Sequence, residues 1–260
     1  MISRAVLASV LAAGALTAGT PLRLPAQLPT RTVDVPILMY HLVGRVPRFA
    51  DGPYTRGLTV APQLFADEME WLSRNGFHAI TQLQLLGALE YGKPLPSRPV
   101  MITFDDGYRD VLYYAAPVLR RLHMPATAYV ITDRVMGHDP SFLDWGGLRA
   151  LEHDGFTIGS HTVHHVDLTL LTRKDAWHEL FDSRRILSRG LGRPVDWFAY
   201  PAGRENPKVV RLVRDAGYLL AVTTRPGVVQ SARHPFLLRR DEILGSLGIA
   251  SFAALLHSSG

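Results

Sequence analysis

Two adjacent carboxylates, Asp105 and Asp106, follow Val100–Phe104, an apolar run typical of a buried strand. Successive side chains of a strand point to opposite faces, so the two acids can take different roles only where the chain turns. Gly107 supplies a residue that turns readily. Two neighbouring carboxylates do not both ionise in a buried pocket without a cation, because like charges raise one of the two pKa values. The pattern therefore predicts either a metal site, with one Asp as ligand and the other as base, or an ordinary Asp-Gly turn.

A second polar group is the sequence Gly-Ser-His-Thr-Val-His-His at residues 159–165. His161 and His165 are four apart, the spacing of one helical turn, which would let both imidazoles reach one ion. With 11 His in the chain, the same spacing also arises by chance on a surface, so the pair alone leaves both interpretations open. One Asp and two His would give three protein ligands and leave a position for water, as in catalytic zinc sites.

The elements that must position these residues alternate between strand and helix. We predict strands at residues 35–41, 77–80, 100–104, 126–131, 156–160, 197–200, 219–223 and 238–243, and helices at 62–75, 82–91, 110–122, 144–153, 172–187, 207–216 and the C-terminus. This alternation favours parallel strands covered by helices, as a barrel or an open doubly wound sheet. Ligands bind at the carboxyl ends of the strands in both architectures. The candidate residues at such ends could therefore converge; they are His41, Asp105, Asp106, His161 and Tyr200.

Composition limits the class of protein. With 260 residues, 47% of them hydrophobic, the chain can bury the core of one large domain. Residues 1–20 have the basic start and apolar stretch of a secretory signal peptide, with an uncleaved anchor as the alternative, so we expect a secreted or extracytoplasmic protein. Residues 21–34 are Pro-rich and predict an extended linker, which leaves 35–260 as the folded domain. The chain has no Cys, and its net charge of +5 is scattered, without the basic runs of nucleic-acid-binding proteins.

Three segments together resemble the motifs of the NodB-like polysaccharide deacetylases, carbohydrate esterase family 4. They are Thr-Phe-Asp-Asp-Gly at 103–107, His-Thr-Val-His-His at 161–165 and Phe-Ala-Tyr-Pro-Ala-Gly at 198–203. Met39-Tyr40-His41 is similar to the branch that includes the secreted poly-β-1,6-N-acetylglucosamine deacetylases of biofilm matrix. The resemblance implies the α/β fold class, as a single domain with a distorted (β/α) barrel of seven strands.

The resemblance also implies roles for the matching residues. Asp106, His161 and His165 match the metal ligands, which would hold Zn²⁺ or another divalent metal such as Co²⁺ or Ni²⁺. Asp105 matches the general base. The implied chemistry is hydrolysis in which zinc polarises the acetyl carbonyl and acidifies its bound water, while Asp105 removes the proton.

Further matches concern the leaving group and the orientation of the base. His41 matches the acid that protonates the departing amine, and the backbone N–H of Ala202 matches a donor to the oxyanion. Ala199 stands where many members carry an Arg that orients the catalytic Asp. We expect Arg240 to take over that role, with an ordinary surface Arg as the alternative.

The aromatic residues Trp145, Trp197 and Tyr200 are expected to form a sugar-stacking wall, with core positions as the alternative. The sequence thus predicts an exported, metal-dependent deacetylase of an N-acetylated glycan, namely an N-acetylglucosamine polymer of matrix or cell envelope. The alternatives are an O-acetyl esterase of the xylan type and a catalytically silent glycan-binding module. We expect a monomer whose partner is the polysaccharide, with no nucleic acid and no membrane span in the mature chain.

Overall fold

The computed structural model describes residues 31–46 and 52–257. The predicted signal peptide and most of the predicted linker lie outside these ranges. Thr32–Asp34, the end of the predicted linker, forms strand β1, so regular structure starts before Val35. The partner of β1 lies some two hundred residues further along the chain, which is why local composition did not reveal the strand. None of the helices in the described ranges combines the length and the hydropathy that a bilayer span requires.

The predicted strands and helices are present in the predicted order, and six short elements that were not predicted are added to them. The strands after β1 are β2 (Ile37–Tyr40), β3 (Leu42–Val43), β4 (Thr59–Val60), β5 (His78–Ala79), β6 (Pro99–Phe104), β7 (Ala126–Val130), β8 (Phe156–Ser160), β9 (Trp197–Ala199), β10 (Leu220–Val222), β11 (Val229–Ser231) and β12 (Asp241–Glu242). The helices are α1 (Pro53–Gly57), α2 (Pro62–Arg74), α3 (Gln82–Tyr91), α4 (Ala116–Arg121), α5 (Thr132–Met136), α6 (Trp145–His153), α7 (Arg173–Leu191), α8 (Pro207–Asp215) and α9 (Ile249–His257). The six elements that were not predicted are β1, β3, β4, β11, α1 and α5. A π-helical turn, Val111–Ala115, precedes α4, and a 3₁₀ turn, Pro201–Gly203, follows β9.

Seven strands form one parallel sheet in the order β10, β9, β8, β7, β6, β2, β12, and β5 pairs with the start of β6. On one edge, the Leu238 N–H donates to the Ala221 carbonyl at 3.0 Å, and the Thr223 N–H donates to the Leu238 carbonyl at 2.8 Å. On the other edge, β12 pairs with β2, with Asp241 opposite Leu38. One short segment therefore touches both edges, so the sheet curls into the seven-stranded distorted barrel that was predicted.

Strand β6 shows how the two faces of the sheet are used. Ile102 and Phe104 point outward into the larger hydrophobic cluster, which includes residues of α2 and α4. Met101 points inward, into a separate cluster inside the barrel. Thr103 and Asp105 continue the inward row and are also buried. Because both faces are covered, β6 reads as an uninterrupted apolar run instead of an alternating one.

The predicted helix starts are present. The Thr81 side chain accepts from the Gln84 N–H in a capping box at the start of α3. Asp144 and Thr172 likewise accept backbone N–H groups at the starts of α6 and α7. These caps determine the residue at which each helix begins. They therefore also determine where the preceding loop, which carries polar residues, ends.

The carboxylate of Glu68 is buried in the outer core, where its hydrogen-bond partner is a hydroxyl group and not a cation. Glu68 of α2 is fully buried, and its Oε2 accepts a hydrogen bond from the Tyr40 hydroxyl at 2.8 Å. Burial raises the pKa of Glu68 to about 7, although the hydrogen bond from Tyr40 acts in the opposite direction. The folded protein therefore binds a proton at this side chain at a pH where the unfolded chain has released it.

Glu68→Gln is expected to remove a pH dependence of stability. Since the folded pKa is raised from 4.5 to about 7, the stabilisation is complete below pH 4.5 and is lost as the pH rises through 7. The free energy of unfolding of the variant, relative to that of the parent protein, should rise by up to about 3 kcal/mol over this interval. Urea unfolding between pH 4.5 and pH 8 measures it. Glu70→Gln, on a partly exposed position of the same helix, is the control, and an equal gain in both variants would contradict the assignment.

Candidate active site

The two adjacent carboxylates diverge at the end of β6. The Asp105 N–H donates to the Tyr40 carbonyl at 2.9 Å, so Asp105 still follows the strand pairing with β2. Asp106 then adopts φ 71°, a left-handed conformation that non-glycine residues seldom take. Gly107 also has positive φ, and a Cβ there would lie 3.1 Å from the Val130 side chain. The backbone therefore turns sharply between the two acids and sends their side chains in different directions.

Asp105 is held by a buried arginine. Arg240 is fully buried, and its Nη1 and Nη2 donate to Asp105 Oδ1 and Oδ2, both at 2.7 Å. Its remaining donors reach the Thr223 carbonyl at 2.9 Å and Thr103 Oγ1 at 3.2 Å. Burial alone would raise the pKa of Asp105, but the charge and hydrogen bonds of Arg240 outweigh it and hold that pKa well below its usual range. The predicted contact between Arg240 and Asp105 is thus present, and Arg240 is not a surface residue.

Asp106 faces the two predicted histidines. Its Oδ1 lies 3.6 Å from His161 Nε2 and 3.5 Å from His165 Nε2. One potential ligand atom from each of these residues lies within 4.8 Å of the others. Asp106 Oδ1 is buried and has no hydrogen-bond partner among the described residues. A buried carboxylate oxygen with two imidazole nitrogens close by is a donor set that suits a divalent metal such as zinc.

The tautomer of His161 also suits a ligand. Its Nδ1 lies 2.8 Å from the Ala199 carbonyl, which can only accept, so Nδ1 carries the hydrogen. Burial lowers the pKa of His161, and this favours the neutral ring. Nε2 is then left with a free lone pair directed at Asp106. A backbone carbonyl that fixes the outer nitrogen of a histidine is common around bound metals.

His161 and His165 are not on a helix, contrary to the helical spacing that we expected. Residues 161–167 form a loop, in which Thr162 has φ 67° and His165 has φ 58°. The Thr162 hydroxyl accepts from the His165 N–H at 2.9 Å, which closes a tight turn between the two imidazoles. Left-handed residues tend to cluster at functional sites, where the surrounding structure holds them.

Glu179 of α7 supports this loop from outside the barrel, and no local sequence pattern points to it. Its Oε2 accepts from the backbone N–H groups of Val163 and His164 at 2.9 and 3.0 Å. Its Oε1 lies 2.6 Å from His164 Nδ1. The loop therefore depends on a carboxylate fifteen residues away along the chain. Its position on the buried side of an amphipathic helix is the only feature that could have drawn attention to it.

Two other predicted residues lie at the same end of the barrel. His41 follows β2 and is half-buried, and it is one of the groups close enough to Asp105 to lower the pKa of that carboxyl, after Arg240 and His161. Its Nδ1 is buried and has no hydrogen-bond partner among the described residues. Ala202 lies in the 3₁₀ turn after β9, is exposed, and has φ 50°. These positions and the carboxylates therefore all follow the carboxyl ends of strands of one parallel sheet.

The predicted sugar-stacking wall is wrong. Trp197 is 7% exposed and packs inside the barrel, and Tyr200 is fully buried, in edge contact with Phe198 at 5.1 Å. Trp145 is half-buried and lies against Gly190, between α6 and α7. Trp197 starts a strand, Tyr200 lies on the outward side of the sheet, and Trp145 lies at a contact between two helices. All three positions face apolar neighbours, so these rings pack in the core.

The family model for polysaccharide deacetylases matches residues 92–221, half of the chain. The chain belongs to this family. The matched range contains Asp105, Asp106, His161, His165 and Ala202, whereas His41 and Arg240 lie outside it. Membership therefore establishes the deacetylase class, a group of hydrolases, and the geometry above identifies the side chains available to it.

Relatives of this deacetylase match it over most of its length. YxkH of Bacillus subtilis, assigned to the polysaccharide deacetylases, is 29% identical over 88% of this chain and 78% of its own. The poly-β-1,6-N-acetyl-D-glucosamine N-deacetylase of Staphylococcus epidermidis is 25% identical over 67% of this chain, which spans only 64% of that protein. The Streptococcus pyogenes deacetylase PplD, solved in complex with acetate, superposes with a TM-score of 0.80 and 27% identity, over 87% of this chain and 99% of PplD.

The pairing of Arg240 with Asp105 can be measured in the deacetylase. Arg240→Met leaves a buried carboxylate unpaired, and we expect a loss of about 3–5 kcal/mol in the free energy of unfolding. Adding Asp105→Asn removes that charge and should restore much of the loss. Urea unfolding of the parent, both single variants and the double variant gives the coupling energy. Simple additivity of the two substitutions would contradict the pairing.

Proposed function

We propose that this deacetylase is metal-dependent and hydrolyses the acetamido groups of an N-acetylglucosamine polymer, releasing acetate. One observation carries the proposal: Asp106 Oδ1, buried and unpaired, faces two imidazole nitrogens, while its neighbour Asp105 is held apart by Arg240. The names of the staphylococcal and other poly-β-1,6-N-acetyl-D-glucosamine deacetylases support the choice of polymer. The signal-peptide pattern of residues 1–20 supports action outside the cytoplasm.

Asp106, His161 and His165 would hold the metal, and zinc, cobalt or nickel would each suit these donors. When bound, such a metal supplies a Lewis acid that polarises the acyl carbonyl and acidifies water. Arg240 lowers the pKa of Asp105 and so keeps its carboxylate ionised, which is the form that a general base needs. With both carboxylate oxygens of Asp105 engaged by Arg240, Asp106 is the acid left free for a metal.

Groups of the protein around the acyl carbon carry out the proton transfers and stabilise the developing charge. Water adds to the acyl carbon and gives its proton to Asp105, and the backbone N–H of Ala202 donates to the oxygen that gains charge. An amine anion is a poor leaving group, so the C–N bond breaks as His41 gives a proton to the nitrogen. The products are acetate and the free amino sugar.

Acetate release tests the proposal directly. The deacetylase is stripped of metal, supplied with zinc, and assayed on β-1,6- and β-1,4-linked N-acetylglucosamine oligomers beside Asp105→Asn and His41→Ala. We expect zinc-dependent release that is reduced at least about 100-fold in Asp105→Asn. His41→Ala should impair amide cleavage far more than cleavage of an aryl acetate, because an alkoxide or phenoxide leaves without a proton.

The outcomes separate the alternatives. Zinc binding without acetate release from either oligomer would overturn the proposal. Release from acetylated xylan alone would then indicate an O-acetyl esterase, and oligomer binding without turnover would indicate a glycan-binding module. Equal losses of amide and ester cleavage in His41→Ala would remove the acid role from His41.

Glu179→Ala tests whether the loop between the histidines determines metal affinity. Loss of its carboxylate frees the backbone of Val163 and His164, and we expect zinc affinity to fall about 10- to 100-fold. Calorimetric titration with zinc measures the change. Glu152→Ala is the matched control, because Glu152 also forms an ion pair, with Arg193, but away from the three proposed ligands. Unchanged affinity in a folded Glu179→Ala protein would contradict this role.

A further inference from the structure

A groove opens beside the proposed active site. It has a volume of about 290 Å³ and lies between the segment that follows β2 and the segment that follows β6. Leu42 and Gly44 line one wall, and Tyr108, Tyr113 and Tyr114 line the other. We call it the tyrosine groove after these three residues. None of the motifs that identify the family accounts for Tyr113 or Tyr114.

The tyrosine groove begins at the proposed catalytic groups. Leu42 directly follows His41, and Tyr108 lies two residues after Asp106. The Tyr108 ring lines the same wall as Tyr113 and Tyr114 and comes directly after the segment that carries Asp105 and Asp106. A substrate that presents an acetyl group to Asp105 would therefore have its neighbouring atoms at the mouth of the groove.

The two walls are fixed to each other and to the barrel. Asp110 Oδ2 accepts from the Val43 N–H at 3.0 Å, which ties the segment after β6 to the segment after β2. A Cβ on Gly44 would lie 3.3 Å from Asp110 Oδ2 and 3.5 Å from the Tyr114 ring, so the walls approach closely there. Tyr108 stacks on Phe142 with centroids 4.9 Å apart. The groove is therefore preformed, as binding sites for small rings commonly are.

The second wall is built on an unusual helix. Val111–Ala115 is a π-helical turn. Such turns are rare in proteins overall, but where they occur they often lie at functional sites. It presents two consecutive tyrosines to solvent, with Tyr113 60% and Tyr114 43% exposed. A single exposed aromatic ring is common on protein surfaces. Several solvent-exposed rings beside a catalytic centre more often indicate a binding surface.

The chemistry of the wall fits a sugar ring. A pyranose has an apolar C–H face and a rim of hydroxyls, and tyrosine has an apolar ring face and a hydroxyl at its edge. We propose that the tyrosine groove binds the pyranose unit adjacent to the one that is deacetylated, so that the enzyme selects a polymer over a single sugar. The inference rests on the proposed function, since it takes Asp105 and Asp106 as the place where the acetyl group is cleaved.

The test compares substrates of different length. Acetate release is measured on N-acetylglucosamine, on its β-1,6-linked pentamer, and on 4-nitrophenyl acetate, which is too small to reach the groove. In the parent protein kcat/KM should be higher for the pentamer than for the single sugar. Tyr113→Ala combined with Tyr114→Ala should lower kcat/KM on the pentamer at least about tenfold, mainly through KM, and leave the aryl acetate rate unchanged.

Two controls separate stacking from general damage. Tyr113→Phe combined with Tyr114→Phe keeps the ring faces and should retain most of the activity on the pentamer. Tyr91→Ala removes a tyrosine of similar exposure, 66%, at the end of α3 and should have no effect. An unchanged KM for the pentamer in the double alanine variant, or an equal loss on the aryl acetate, would overturn the proposal.

Failure of the proposed function gives a different result. In that case the parent protein itself releases no acetate from any oligomer, and calorimetric titration with the pentamer becomes the readout. Pentamer binding that is weakened in the double alanine variant would still support the tyrosine groove. Absence of binding, or equal binding by parent and variant, would overturn it.

Discussion

The bidentate pair between Arg240 and Asp105 is the interaction on which the rest of the site depends. Asp105 directly follows β6, and Arg240 lies in the segment that closes the barrel between β10 and β2. The guanidinium satisfies both carboxylate oxygens and also bonds to Thr103 and Thr223, so neither charge is left unpaired in the interior. Closure of the barrel therefore also brings in the guanidinium that keeps Asp105 ionised.

Four non-glycine residues with a left-handed backbone then shape the mouth of the barrel. Asp106, Thr162, His165 and Ala202 all have positive φ, and each lies in a segment that follows a strand of the sheet. Such conformations cost about 1–3 kcal/mol each and persist only where neighbours enforce them. Here the neighbours are side chains of other elements, above all Glu179 on the helix that packs behind the loop between the histidines. The candidate site residues thus lie on loops whose strained backbone is stabilised by the strands and helices around them.

Hydrophobicity alone does not indicate which aromatic residues of this protein are buried in the core and which are exposed on the surface. Trp197 and Tyr200 are buried, the first inside the barrel and the second between the sheet and its helices. Two exposed rings, Tyr113 and Tyr114, lie instead on the π turn that follows Asp105 and Asp106 along the chain. A tyrosine at a strand end and a tyrosine on a helix look alike in sequence, and only packing shows which one faces water.

The sequence by itself determined the fold class, the order of strands and helices, and the convergence of the motif residues at the strand ends, because periodicity and caps are local properties. It also placed Asp105, Asp106, His161 and His165 together. Tertiary structure alone decided the rest. Four features depend on contacts between residues far apart in the chain, which no local pattern encodes. They are the π turn, the loop conformation of the histidine motif, strand β1 and the support from Glu179. Whether Arg240 lay on the surface or against Asp105 was likewise settled by barrel closure, which brings residues 135 apart into contact.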